Sequence, residues 1–214
     1  MSTSTAAPAR EPANALDRVS GILSLLRFAF PTMVMMVFNG LYTIVDVIFV
    51  ARFVNTEALS AINIINPAMG VLWGLGTMLG TGGSALIARK MGGGDAAGAR
   101  RNFSLLILAG VLLGLFFSGL GLLFLEPIIR ALGASDILAP YCREYFGTLL
   151  LFTPAALLLT LFAFLFVTAG KPALNMALII ASGLTNTLLD YVFIVLLGMG
   201  VAGAALATGI AFLI

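Results

Sequence analysis

A chain of 214 residues that is 61% hydrophobic and only 9% charged, with a mean hydropathy of +1.13, is too apolar for a water-soluble domain and reads as an integral membrane protein. The net charge is only +2, histidine is absent, and the single cysteine, Cys142, excludes an intrachain disulfide. Without histidine, His-based catalysis and most transition-metal sites fall away.

Residues 1–23 form a Ser/Thr/Ala/Pro-rich stretch expected to be a flexible cytoplasmic tail, because the apolar segment behind it is too long for a signal-peptide core. A transmembrane bundle is expected over 24–214. A spanning helix needs roughly 20 apolar residues, and continuous runs predict helices near 25–52, 60–88, 103–125, 144–169, 173–197 and 201–214. The fold class is therefore an all-α polytopic membrane bundle with five complete transmembrane helices and a truncated sixth. Barrel strands are excluded because they would alternate apolar and polar residues with period two.

The first span carries Pro31, which removes one backbone hydrogen bond and reads equally as a helix hinge or as a static kink. The cluster Met33, Met35 and Met36 offers an adaptable apolar surface, although lipid-facing packing is the more frequent role of such residues. Further along, Asp46 sits in "GLYTIVDVIFVARF", an apolar run where an isolated carboxylate costs about 2.5–3.5 kcal/mol on insertion scales. Tyr42 precedes it by one turn and is a candidate to line a cavity for a flat or cationic ligand. In the second span, Gly70, Gly74, Gly76 and Gly80 have the spacing that lets helices pack closely. The loop "KMGGGDAAGARRN" lacks the pattern of a phosphate-binding loop, so its glycines read as a turn and its arginines as a membrane anchor. The fourth span brings Tyr145, undecided between cavity lining and the interfacial belt, and Pro154, a second possible hinge beside Pro67.

Eight of the 11 basic residues (Arg10, Arg18, Arg27, Arg89, Lys90, Arg100, Arg101 and Lys171) fall on the side of the N-terminus when the spans alternate. Arg52, Arg130 and Arg143 fall on the other, which places the N-terminus in the cytoplasm. On this topology Asp46 lies about 9 Å below the outer end of its helix, and Asp190 about 12 Å below the turn at 198–200. Thr208 returns to the level of Asp190 on the sixth span, and Asn186 projects from the same helix face as Asp190, one turn deeper.

Two carboxylates, an amide and a hydroxyl therefore share one level. Hard oxygen donors of this kind suit a cation such as Na⁺ and equally suit a proton shared between carboxyl groups. Neutral residues would serve helix packing at lower cost, so the matched acids point to ion binding, while Asn186 and Thr208 taken singly are also ordinary polar contacts between helices. "GVAGAALATGIAFLI" supplies only about 21 Å of helix against a hydrocarbon core of about 30 Å, so the sequence is expected to be the first part of a longer protein.

The segments "VDVIFVARFVNTEALSAINIINP", "GTGGSALIARKMGGGD" and "NTLLDYVFIVLLGMGVAGAALAT" resemble the multidrug and toxic compound extrusion (MATE) family over about residues 24–214. The resemblance implies one MATE-type lobe of six helices, facing a second lobe absent from this sequence. It also implies a bacterial inner-membrane antiporter that exports small hydrophobic or cationic compounds in exchange for H⁺ or Na⁺. By the same resemblance Asp46, Asn186, Asp190 and Thr208 form the cation or proton site and would be the metal ligands if the ion is Na⁺. Tyr145 matches a tyrosine near that site and Pro31 a helix-one kink. No catalytic residue, no cofactor beyond the coupling ion and no nucleic-acid partner are expected. The alternatives are a lipid-linked saccharide flippase of the same superfamily, disfavoured because no Lys or Arg lies deep within a span, and a non-transporting membrane fragment or assembly partner. A membrane-embedded enzyme is a remoter alternative, since the nucleophile pairs and metal motifs it needs are missing.

Overall fold

The computed structural model describes residues 22–214, so the N-terminal tail expectation lies almost wholly outside the described residues. Helix α1 spans Ile22–Phe53, α2 Thr56–Gly92, α3 Ala96–Leu123, α4 Leu125–Ala131, α5 Ala139–Leu151, α6 Thr153–Thr168, α7 Pro172–Asp190 and α8 Gly200–Ala211. No strand occurs among the described residues. Among the described residues four helices are long and apolar enough to cross a membrane, and α5 with α6, bent by 57° at their junction, bring the number to five if the pair is one span. The shorter apolar helix α8 follows.

Several helices run past the apolar segments that predict them. With 37 residues, α2 extends about 55 Å, well beyond the hydrocarbon core. Its start is fixed by Asn55, whose side-chain oxygen accepts from the Ala58 amide at 2.7 Å. Asp95 caps α3 in the same way, accepting from the Gly98 amide at 2.8 Å. Polar helix ends outside the lipid carry capping signals but no hydropathy signal, which is why the predicted spans of 60–88 and 103–125 fall short at their N-terminal ends.

The predicted span 144–169 is two helices rather than one. Pro154 stands in the first turn of α6 and cannot donate a backbone hydrogen bond, so the chain breaks at Phe152. A Cβ on Gly114 of α3 would meet Pro154 Cα at 2.5 Å, so α3 lies directly against the break. The predicted span 173–197 also changes character partway. From Tyr191 to Leu196 it winds as a π-helix, and the Leu197 amide reaches back five residues to the Val192 carbonyl at 2.9 Å. Helix α1, by contrast, continues through Pro31 without interruption.

The main core joins α2, α5 and α8 through Ile65, Leu149, Leu150, Val201 and Ala205, with Val50 of α1 buried at its edge. Large side chains outside it, such as Met36, Val71, Leu112 and Leu188, are exposed, as expected of surfaces that face lipid.

Candidate cation site

Helix α7 is amphipathic in an inverted sense, since its buried face is polar. Asn175, Ser182, Gly183, Asn186 and Asp190 recur at helical spacing and are all buried. Each meets a neighbouring helix. The Asn175 amide donates to the Met35 sulfur of α1 at 3.4 Å, and the Ser182 hydroxyl donates to the Ala211 carbonyl of α8 at 2.6 Å. Gly183 brings α1 close, because a Cβ there would lie 2.8 Å from Phe38 and 3.0 Å from Tyr42. Small residues on α8, Ala204, Ala205 and Ala207, let that helix settle against its neighbours.

This packing gathers the predicted residues. Asp46 of α1 and Asp190, the last α-helical residue before the π-winding, come close enough for their carboxyl groups to interact. Asp190 is 0% exposed and Asn186 2%. The Asn186 amide nitrogen donates to Thr208 Oγ1 at 3.4 Å. That bond leaves Asn186 Oδ1 buried with no partner, and Asp46 Oδ1 and both Asp190 oxygens are in the same condition among the described residues. Four buried oxygen acceptors without a donor are costly. A proton on the acid pair or a hard cation among the oxygens would satisfy them, so these residues fit either.

Tyr145 of α5 is buried beside the same two acids. It is not among the residues that line the cavity described next. Tyr42 does line it.

That cavity, about 450 Å³, opens beside Asn186 and Thr208. Its polar contributors include Asn39, Thr43, Asn66, Thr160 and Ser182, and no charged residue lines it among the described residues. Sequence reasoning missed these residues, although Asn39, Thr43 and Asp46 follow helical spacing on α1 and Ser182, Asn186 and Asp190 do so on α7. That periodicity of polar residues within apolar spans was the available signal.

The fold and site thus define a polytopic α-helical membrane protein with a buried polar cluster between packed helices. The family model described as MatE matches residues 31–192. Multidrug export protein MepA of Staphylococcus saprophyticus subsp. saprophyticus is 27% identical over 194 residues, covering 91% of this chain and 43% of that protein. The protein of the same name from Staphylococcus haemolyticus is 29% identical over 187 residues, covering 87% and 41% respectively. A solved structure described as MATE in the bent conformation superposes with a TM-score of 0.82 at 25% identity, covering 94% of this chain and 45% of that one. The chain therefore spans less than half the length of these relatives, and it belongs to the MatE family.

Proposed function

We propose that this chain is part of a cation-coupled exporter of small hydrophobic or cationic compounds, and that Asp46, Asp190, Asn186 and Thr208 bind the coupling ion, H⁺ or Na⁺. One observation carries this reading: four buried oxygens of Asp46, Asn186 and Asp190 lack any donor among the described residues. Ion binding satisfies acceptors that the surrounding helices leave alone. The relatives' description as multidrug export proteins supplies the transport direction and the cargo class.

Ion binding would act on α1. Asp46 belongs to that helix and Asp190 to α7, so neutralising the pair changes the force holding one helix against the other. Pro31, on the same helix, is the proposed place where α1 yields. The structural relative is described in a bent conformation, which is compatible with this reading. Alternating access needs two bodies moving about a site, so a second lobe is part of the proposal. The membrane is proposed to be the bacterial inner membrane, with the N-terminus in the cytoplasm. The flippase alternative is weakened further by the cavity, which presents no Lys or Arg to an anionic pyrophosphate.

The test is export of an intrinsically fluorescent cationic dye from vesicles under an imposed pH gradient and then a Na⁺ gradient. The chain is compared with a version extended to the length of its relatives. Export by the extended protein under one gradient alone names the ion, and loss of that export in Asp46→Asn and Asp190→Asn assigns the site. Undiminished export in both variants would sink the assignment.

A further inference from the structure

The α2–α3 hairpin concentrates charge at one end of the bundle. Arg89 and Lys90 end α2, and Arg100 and Arg101 follow in the opening turns of α3. The nearby acid is Asp95, which holds Lys90 at 3.6 Å while its other oxygen caps α3. Arg89, Arg100 and Arg101 form no ion pair among the described residues. Beside them lies a cavity of about 540 Å³, lined by Ile87, Met91, Ala99 and Phe103 together with Arg100 and Ser104. The cavity is separate from the acid pair and shares no lining residue with the polar cavity beside Asn186.

An arginine that lines an apolar hollow, on a hairpin that carries two more guanidinium groups without an ion pair among the described residues, matches a ligand with an anionic head and a hydrocarbon body. Guanidinium groups bind phosphate oxygens in a bidentate fork, and basic hollows between membrane helices suit phospholipid headgroups. We infer that this hairpin is a binding site for an anionic phospholipid of the bilayer, with the phosphate held by Arg89, Arg100 and Arg101 and an acyl chain in the hollow beside Met91 and Phe103. The charge comes from the cations at the helix ends and the selectivity for a lipid over a free anion from the apolar lining. The site is independent of ion coupling, because none of its residues belongs to the acid cluster.

Native mass spectrometry of the full chain, released from nanodiscs of equal phosphatidylglycerol and phosphatidylcholine, counts the lipids that stay bound. Retained phosphatidylglycerol should exceed phosphatidylcholine by on the order of a hundredfold, and each Arg→Gln substitution should cut the preference by a factor of about 5. The triple variant Arg89→Gln, Arg100→Gln, Arg101→Gln should therefore show near parity, while the Arg→Lys triple keeps most of the preference. Met91→Trp fills the hollow but keeps every cation, and it should lower retained phosphatidylglycerol severalfold. Equal retention of the two lipids by the wild type, or an unchanged preference in the Gln triple, overturns the site. Full retention in Met91→Trp reduces it to surface charge, and displacement by excess inorganic phosphate shows a free-anion site; either result overturns the lipid assignment.

Discussion

Gly183 of α7 and Tyr42 of α1 pack so closely that a methyl group on Gly183 would lie 3.0 Å from the Tyr42 ring and 2.8 Å from Phe38. The contact sets the distance between two helices that each carry one acid of the buried pair, since Asp46 lies one turn beyond Tyr42 and Asp190 two turns beyond Gly183. Gly183→Ala should therefore wedge α1 away from α7. The expected cost is about 1–3 kcal/mol of stability, as for other overpacked cores, together with weaker ion binding. Thermal unfolding and Na⁺ or proton uptake, measured on the same preparation, check both; tight binding retained in a destabilised variant would show that the helix separation does not set the site.

The acids themselves give the sharpest contrast. Removing a buried acceptor that has no donor removes a cost, and an asparagine in its place supplies an N–H to the surviving carboxylate. Asp190→Asn should therefore fold at least as well as the wild type while losing ion binding by about tenfold or more. Asp46→Asn should behave alike, because the pair acts as a unit. Circular dichroism on heating, alongside ion uptake, separates this outcome from ordinary damage: a variant that loses stability and binding together would mark the acids as structural.

A pH test lies outside the membrane, at the short helix α4. Glu126 accepts from Arg143 of α5 at 3.2 Å and from Arg130 of its own helix at 3.3 Å, and Arg130 in turn pairs with Asp136 at 2.7 Å. The Arg143 bond, more than any other contact, holds the Glu126 carboxyl below its ordinary range. A carboxyl lowered in the folded state contributes fully above the ordinary glutamate range, and that contribution fades as pH falls through the lowered value. The groups are exposed, so the effect is local. Hydrogen exchange of the α4 amides should be pH-independent in its protection near neutrality and should lose protection on acidification. Glu126→Gln should abolish the pH dependence, and an unaltered profile in that variant would remove the clasp from the explanation.

What the sequence reveals about this molecule depends on which physics leaves a periodic trace. The meeting of Asp46 with Asp190 follows from helix rise and alternating spans, quantities that spacing carries directly. The break at Phe152 is harder to see, because the residues from Leu149 to Leu161 are almost all apolar and only Pro154 marks it. The π-winding from Tyr191 to Leu196 leaves no signature at all: "YVFIVL" is apolar apart from its first residue, so a one-residue slip of register moves no polar side chain into view. Helix α4 is too short to register as a span, and its charges give it the look of a loop.

The last prediction concerns the orientation of a single amide. Asn186 donates to Thr208 Oγ1, and this bond commits the nitrogen to α8 and leaves Oδ1 as a free acceptor beside the acids. Thr208→Val takes away the acceptor while keeping the shape. The amide then has no reason to hold its orientation, and rotating it by a half turn offers an N–H to an unpartnered carboxylate oxygen. That new bond would stabilise the empty site and compete with the ion. Binding should weaken by about tenfold, the scale of one hydrogen bond to a charged group, with no loss of thermal stability. Thr208→Ser keeps the hydroxyl and should bind as the wild type does. Equal binding by the valine and serine variants would show that Thr208 contributes only packing, and the site would then rest on Asp46, Asp190 and Asn186 alone.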